Sequence, residues 1–189
     1  MLQEAAAELF LEQTYQSTTI EQITRRAGVS RNTFFNYFSA KSDLLWVEVD
    51  SWLTGLPAAL ETALAAVEGM PTDAIRTALL ALAEGIPAGD VPWALTQTEL
   101  MGTTLDLQAS ALSRFTAHGA VLTRAVERAT ARPQGDLLAS AFAVAALAAS
   151  CAGALAWAGA GVARGSLVPF LDQALSPVCD GFRPLLPAG

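Results

Sequence analysis

The chain has 189 residues, of which 52% are hydrophobic and 15% charged, so it can bury a sizeable core and is not a disordered protein. So little charge on an apolar chain favours an oligomer that hides surface in a partner. The net charge of −7 excludes a protein that coats nucleic acid with its whole surface, because phosphate contacts need cations facing the duplex. Cys151 and Cys179 stand apart without a histidine cluster, which predicts neither a disulfide nor a metal site and favours a reducing cytoplasm.

Apolar residues recur every three or four positions almost throughout, which predicts an all-α fold without strands. The stripe over residues 2–10 predicts the first helix, and Thr18 with Glu21 three residues later predicts a capping box for the second. The second helix should end at Gly28, and Ser30 should cap a third helix from Arg31 to about Phe38.

The remaining chain predicts further helices from start and stop signals. A fourth helix is expected to begin at Ser39 or Ala40 and to be interrupted near Gly55 and Pro57. Further helices are expected from a cap at Thr72 to Glu84, from Asp90 and Pro92 onward, and from Asp106 to a point before Pro133. The last two helices are expected over about residues 135–158 and 166–182.

A local cationic segment stands out in this acidic chain. Residues 22–42 contain no acidic side chain but hold Arg25, Arg26, Arg31 and Lys41. Two short helices joined by residues 27–30 match a helix-turn-helix, in which early residues of the second helix meet base edges in the major groove. The alternative is a solvated helical hairpin with exposed polar residues.

The chemistry of the third helix fits base reading. Arg31, Asn32 and Thr33 supply groups that pair with guanine, adenine and thymine edges. Phe34 and Phe38, four residues apart, are expected to hold this helix against the core.

These motifs together resemble the TetR/AcrR family of bacterial repressors. The matching residues are Ala6, Ala7, Leu9, Phe10, Thr18, Thr19, Ile23, Ala27, Gly28, Val29, Ser30, Thr33, Phe34, Phe35, Asn36, Tyr37, Phe38, Lys41 and Leu44. The resemblance covers residues 1–46 and implies a helix-turn-helix domain there, followed over residues 47–189 by a larger helical domain for ligand sensing and dimerisation. It implies a repressor that leaves a palindromic operator when a small, largely apolar ligand binds.

The resemblance also implies roles for individual residues. Thr19, Phe35, Tyr37 and Lys41 occupy positions that face phosphates in the family, while Arg31, Asn32 and Thr33 lie where bases are read. Phe35 replaces a common tyrosine, and Thr14 replaces a common glycine, which suggests a slightly altered turn. The sequence of residues 34–38 resembles that of a subgroup that includes mycofactocin-associated regulators, although residues 47–189 add no residue in support.

The family resemblance implies that the last two long helices form a four-helix bundle with those of a second subunit. Small residues four apart on the first of them, and apolar residues on the second, suit such packing. The predicted interface residues are Ala141, Ala145, Ala149, Gly153, Phe170, Ala174 and Val178. An internal core helix is the alternative interpretation of the same pattern.

Residues between these two regions have the composition of a small-molecule pocket. The predicted lining is Trp93, Gln97, Met101, Phe115, His118 and Leu122. A histidine at the edge of the core, with its hydrogen bonds satisfied, explains His118 equally simply.

Two other classes of protein are open from the sequence. No charged residue lies between Asp136 and Arg164, so a single-span membrane protein with a cytoplasmic DNA-binding head is the alternative, although the Ala- and Gly-rich composition disfavours insertion. An enzyme is disfavoured because one histidine offers neither a nucleophile with its base nor a metal ligand set. No cofactor is expected.

Overall fold

The computed structural model describes residues 1–66 and 70–189, and these ranges contain helices but no strand. The predicted all-α fold is confirmed. The helices are α1 (Leu2–Gln13), α2 (Ile20–Arg26), α3 (Arg31–Tyr37), the 3-10 helix η1 (Lys41–Leu45), α4 (Val47–Leu53), α5 (Leu56–Ala66), α6 (Pro71–Glu84), α7 (Trp93–Thr96), α8 (Thr98–Met101), α9 (Thr104–Ala129), α10 (Leu137–Gly159), α11 (Val168–Phe182) and the 3-10 helix η2 (Arg183–Leu185).

The chain divides into two compact units, with boundaries within α4, between Asp90 and Val91, and within α9. The smaller unit comprises Met1–Ser51 and Val91–Leu112, and the larger unit comprises Trp52–Asp90 and Ser113–Gly189. The smaller unit therefore combines the predicted DNA-binding region with a segment from the middle of the chain.

The core of the smaller unit joins α1, α2, α3 and η1 to the segment around α7 and α8. Phe10, Ile23, Phe34 and Leu44 have no exposed surface, and Met101 is almost as fully buried among them. The Tyr15 amide donates to the Met101 carbonyl at 2.7 Å, which fastens α8 to the turn after α1. Fully burying side chains of this size contributes about 1.5–3 kcal/mol each.

The larger unit is built on α6, α10 and α11. α10 packs on α11, which packs on α6, and α5 also packs on α6. Arg76 of α6 binds the Asp172 carboxylate of α11, and Arg183 binds Asp73 at 2.6 Å. A buried Glu127 carboxylate accepts the Gly135 amide at 2.6 Å just before α10 begins.

Several helix boundaries differ from the sequence prediction. Thr19, not Thr18, caps α2: its hydroxyl accepts the Gln22 amide at 3.2 Å, and the Gln22 side chain accepts the Thr19 amide at 2.8 Å. α6 begins at Pro71, so Thr72 lies inside the helix, where it is fully buried and no described residue partners its hydroxyl. Proline is well suited to a first helical position because its missing amide hydrogen is not needed there.

The middle of the chain is more broken than predicted. The expected fourth helix is the 3-10 helix η1 followed by α4, and it ends just before the predicted interruption at Gly55. The helix expected from Asp90 is the short α7, separated from α8 at Gln97. Ser30 caps α3 as predicted, and α10 and α11 occupy nearly the predicted ranges.

Candidate functional site

The α2–turn–α3 motif is set by its turn and by its buried face. Gly28 has a φ of +68°, a left-handed conformation that glycine adopts without steric cost. The Ser30 hydroxyl then accepts the Thr33 amide at 3.0 Å and starts α3. Phe34 has no exposed surface and packs on the Phe38 ring, with 5.4 Å between centroids. Because Phe34 points into the core, the opposite face of α3 is presented to solvent.

The exposed face of α3 carries the predicted base-reading residues. Arg31 and Asn32 are exposed in the first turn, where a recognition helix meets base edges. Thr33 is half-buried, and its hydroxyl shares a 2.9 Å hydrogen bond with Ser30. Of the three predicted base-reading residues, Arg31 and Asn32 are therefore the more accessible to a base edge.

Two aromatic side chains flank these readers. Phe35 is 46% exposed and Tyr37 is 74% exposed, which is unusual for large rings in a folded protein. The Arg31 guanidinium lies over the Phe35 ring, 5.5 Å from its centroid. A cation held over a ring in this way gains about 0.5–1 kcal/mol at an exposed site. Phe35 thus restricts the orientation of Arg31, a role that the sequence prediction missed although the two residues are four apart.

Most cations near α3 are already paired. Arg25 binds Glu21 at 2.7 Å, and Arg26 binds Glu8 at 2.9 Å and Glu12 at 2.8 Å. The hydrogen bond from Arg26 holds the pKa of Glu12 below its usual range. The cationic character expected of residues 22–42 is therefore partly neutralised by carboxylates outside or at the edge of that segment.

Lys41 has a more enclosed environment than a phosphate-facing lysine is expected to have. Its ammonium donates to the Tyr15 carbonyl at 2.6 Å and to the Thr18 carbonyl at 2.7 Å. It also lies 3.9 Å from the centroid of the Tyr15 ring. Burial lowers the pKa of Lys41, and the negative charge of Asp106 opposes that shift.

The predicted pocket residues are divided between the two units. Trp93, Gln97 and Met101 belong to the smaller unit. There Met101 is a core residue, and the Trp93 ring lies 6.0 Å from the Phe10 ring.

The other three pocket residues belong to the larger unit. Phe115, His118 and Leu122 share one face of α9, with the first two half-buried and Leu122 fully buried. Gly119 beside them is buried, and a methyl group there would meet no heavy atom within 4 Å. There is thus unfilled space beside α9 at Gly119.

The predicted dimer residues of α10 do not all face the same way. Ala141 is exposed, Ala145 and Ala149 are half-buried, and Gly153 is buried. A methyl group at Gly153 would come within 2.9 Å of the Phe170 carbonyl of α11 in the same chain. With 3.6 residues per turn, a spacing of four residues turns about 40° per step, so this ridge winds from the exposed face to the packed one.

An apolar stripe does run straight along the exposed face of α10. Its members alternate by four and three residues, a spacing that keeps them on one side of a helix. We call this the α10 stripe: Leu137, Ala141, Val144, Ala148, Cys151 and Leu155. On α11, the predicted residues Phe170, Ala174 and Val178 are half-buried. α10 is also the one helix of the described residues that is long and apolar enough to cross a membrane, and only a third of it is buried within the chain.

Two family models match the chain and together cover most of it. The model for "Bacterial regulatory proteins, tetR family" matches residues 2–46, and that for "MftR C-terminal domain" matches residues 69–183. The chain therefore belongs to the TetR family of transcriptional regulators, and it has a DNA-binding helix-turn-helix domain. The resemblance drawn from the sequence is confirmed.

Three relatives in this family match only part of the chain. A putative mycofactocin biosynthesis transcriptional regulator, MftR, from Mycobacterium tuberculosis is 30% identical over 80 residues, which are 42% of this chain and 39% of that protein. HbdR from Aromatoleum is 45% identical over 49 residues, 26% of this chain and 21% of HbdR. TcmR from Streptomyces glaucescens is 41% identical over 66 residues, 35% of this chain and 26% of TcmR. The chain thus spans well under half the length of these relatives.

A solved structure matches nearly the whole chain. The crystal structure of Thermus thermophilus FadR, a TetR family repressor in complex with lauroyl-CoA, is 26% identical with a TM-score of 0.60. The match covers 95% of this chain and 92% of FadR. The larger unit therefore has a fold that, in that protein, belongs to a ligand-binding regulator.

Proposed function

We propose that this chain is a homodimeric, cytoplasmic repressor that leaves its operator when a small, largely apolar ligand binds the larger unit. The observation that carries the proposal is α3, which buries Phe34 and presents Arg31 and Asn32 to solvent. We assign base reading to Arg31, Asn32 and Thr33. Contacts to the DNA backbone are assigned to Thr19, Phe35 and Tyr37, all of which are exposed. The protein binds its ligand without turning it over.

The reader assignment is tested by base preference. A duplex selected by the wild-type protein from a random-sequence pool serves as the probe, in fluorescence anisotropy at fixed salt. Arg31→Ala and Asn32→Ala should each cost about 1–3 kcal/mol on this duplex and relax selection at one base position per half-site. Unchanged preference in both variants would remove α3 from the reading role.

Dimerisation through the α10 stripe is supported by its exposure. Leu137 is 80% exposed, Leu155 57% and Val144 44%, on a helix without a charged residue. A second copy of the same stripe, related by a two-fold axis, covers this apolar surface without burying a charged side chain. The alternative occupant is a membrane, which α10 is long enough to cross.

Val144→Glu distinguishes these arrangements. A carboxylate in a dimer interface has no counter-ion and costs several kcal/mol for each subunit, so we expect monomers in analytical ultracentrifugation. Ala81→Glu on the exposed side of α6 is the control and should remain dimeric. A wild-type protein that needs detergent for solubility, or a dimeric Val144→Glu, contradicts the proposed interface.

The ligand class is suggested by two facts. Thermus thermophilus FadR, which shares the fold, binds lauroyl-CoA, and the face of α9 with Phe115, His118 and Leu122 has room at Gly119. We therefore expect an apolar acyl chain to occupy this space, and lauroyl-CoA, which carries such a chain on its charged coenzyme A group, is the probe that should release the selected duplex. Gly119→Leu should keep duplex affinity but lose release, because the new side chain occupies that room. Equal release of Gly119→Leu and wild type would place the ligand elsewhere.

A further inference from the structure

Phe35 presents an apolar ring on the face of α3 that carries the proposed base-reading residues. Its side chain is 46% exposed, and it follows Arg31 by four residues, a spacing that places both side chains on one side of a helix. The neighbouring Phe34 ring is fully buried and stands nearly perpendicular to the Phe35 ring, with 5.3 Å between centroids. Phe34 therefore supports the Phe35 ring from the core, and the rest of that ring is open to a partner.

The chemistry of a phenylalanine ring limits what Phe35 can contact on DNA. The family resemblance places a common tyrosine at this position, whose hydroxyl can donate a hydrogen bond to a phosphate oxygen, and Phe35 has no such group. An apolar ring is instead complementary to another apolar surface. In the major groove the C5-methyl group of thymine is the apolar group that distinguishes bases, and phenylalanine is among the side chains that contact it.

Thr33 is the other residue of α3 that was expected to meet a thymine edge. It is half-buried, and its hydroxyl shares a hydrogen bond with Ser30. Asn32 and Asn36, which are exposed on the same helix, end in polar amides. Phe35 therefore offers the larger exposed apolar surface beside Arg31.

Arg31 indicates where on the DNA the Phe35 ring lies. The Arg31 guanidinium, which is suited to pair with guanine O6 and N7, lies over the Phe35 ring at 5.5 Å from its centroid. Neighbouring base pairs are stacked about 3.4 Å apart. A guanidinium that pairs with a guanine while it keeps this ring contact therefore brings Phe35 against the adjacent base pair.

We propose that Phe35 is a specificity-determining residue that contacts the C5-methyl group of a pyrimidine next to the guanine read by Arg31. The pyrimidine is thymine in an unmodified operator, and 5-methylcytosine presents the same methyl group. This inference rests on the proposed function, because it needs α3 to be the base-reading helix. It adds a base contact to the backbone contact that we assigned to Phe35.

The test replaces single thymines of the selected duplex by deoxyuridine, which lacks only the methyl group. Fluorescence anisotropy at fixed salt gives the affinity of the wild-type protein for each substituted duplex. We expect one thymine in each half-site to lose about four-fold in affinity, the factor that corresponds to one buried methyl group. That thymine should lie next to the guanine position at which Arg31→Ala loses its preference. A duplex with no thymine there, or a thymine there that is insensitive to the replacement, overturns the proposal.

Phe35→Ala shows which side chain senses the methyl group. This variant should bind the thymine and deoxyuridine duplexes equally, whereas Phe35→Tyr, which keeps the ring, should retain the four-fold difference of about one methyl group. Tyr37→Ala is the matched control, because Tyr37 is an exposed aromatic residue of the same helix that we assign to the DNA backbone. It should weaken binding to both duplexes by the same factor. A difference that survives in Phe35→Ala, or that disappears in Thr33→Ser instead, overturns the proposal.

A second pair of duplexes separates the methyl group from the rest of the base. The sensitive thymine–adenine pair is replaced by a cytosine–guanine pair, with or without a methyl group at C5 of the cytosine. The methylated duplex should bind wild type about four-fold more tightly than the unmethylated one, and Phe35→Ala should not distinguish them. Equal or weaker binding of the methylated duplex by wild type overturns the proposal.

The two levels of inference fail in different ways. If the wild-type protein selects no duplex, the proposed function fails. If it selects one that binds equally with thymine and with deoxyuridine, only the methyl contact of Phe35 fails, and Arg31 and Asn32 keep their proposed roles. The deoxyuridine scan uses wild-type protein alone, so it decides the question even where Phe35→Ala does not fold.

Discussion

The turn after α1 contains a non-glycine residue in a glycine conformation. Thr14 has φ +70° and ψ 159°, where a β-branched side chain meets its own backbone. The family resemblance places a common glycine at this position, and the sequence suggested an altered turn. The backbone instead keeps the positive φ, so Thr14 adopts a strained backbone conformation. The substitution Thr14→Gly should therefore stabilise the protein.

The size of the effect follows from three contributions. Relief of an unfavourable backbone conformation contributes about 1–3 kcal/mol. The greater freedom of glycine in the unfolded chain costs about 0.5–1 kcal/mol. The Thr14 hydroxyl bond to Ser17 is 3.4 Å long and exposed, so its loss costs little. The net gain is about 1 kcal/mol, which raises the melting temperature of a chain of this length by about 2–4 °C.

Differential scanning calorimetry at one protein concentration measures this shift, because the proposed dimerisation would make the melting temperature depend on concentration. Ser17→Gly lies in the same turn without a positive φ and is the control, expected to destabilise the protein by about 0.5–1 kcal/mol. The reasoning is refuted if Thr14→Gly lowers the melting temperature as much as Ser17→Gly does, since backbone strain would then be absent.

Two further substitutions test packing and reading. Gly153→Ala should destabilise the larger unit by about 1–3 kcal/mol in urea unfolding, because the methyl group meets the α11 backbone at Phe170, whereas Gly119→Ala should be neutral or slightly stabilising. Equal effects of the two would contradict the close helix approach. Phe35→Leu should weaken binding to the selected duplex about two- to five-fold by releasing Arg31, and Phe35→Tyr should not; a Phe35→Leu protein with wild-type affinity would show that the ring contact does not position Arg31.

Short sequence motifs that allow only one interpretation predicted the helix boundaries well. Ser30 is a capping residue two positions after Gly28, and both act as expected. The sequence predicts the cap of α2 one residue early because two threonines, Thr18 and Thr19, are each followed at the third position by a residue that completes a capping box. Sequence alone cannot separate the two, whereas burial of the Thr18 hydroxyl against α1 does.

Long-range contacts set the features that sequence could not predict. The side of α10 that is free depends on where α11 packs, so the small-residue ridge and the α10 stripe look equally plausible in the sequence. The engagement of Lys41 depends on Tyr15, 26 residues away, and the burial of Met101 depends on α1. The family pattern supplied the proposed reading residues Arg31 and Thr33, whose contacts with Phe35 and Ser30 are local. The contacts of Lys41 and Met101, in contrast, come from elements distant in the chain.

The composition of the smaller unit limits how DNA-binding domains can be exchanged within this family. Ala94 and Met101 fill the core around Phe10, and Met101 accepts the Tyr15 amide, although both lie far beyond residue 46. A chimera that transfers residues 1–46 alone would leave this apolar surface open and the Tyr15 amide without its carbonyl, and a buried amide that loses its partner costs about 1–3 kcal/mol. Residues 91–112 must therefore be transferred together with residues 1–46, so a hybrid regulator built from this protein has three junctions rather than one.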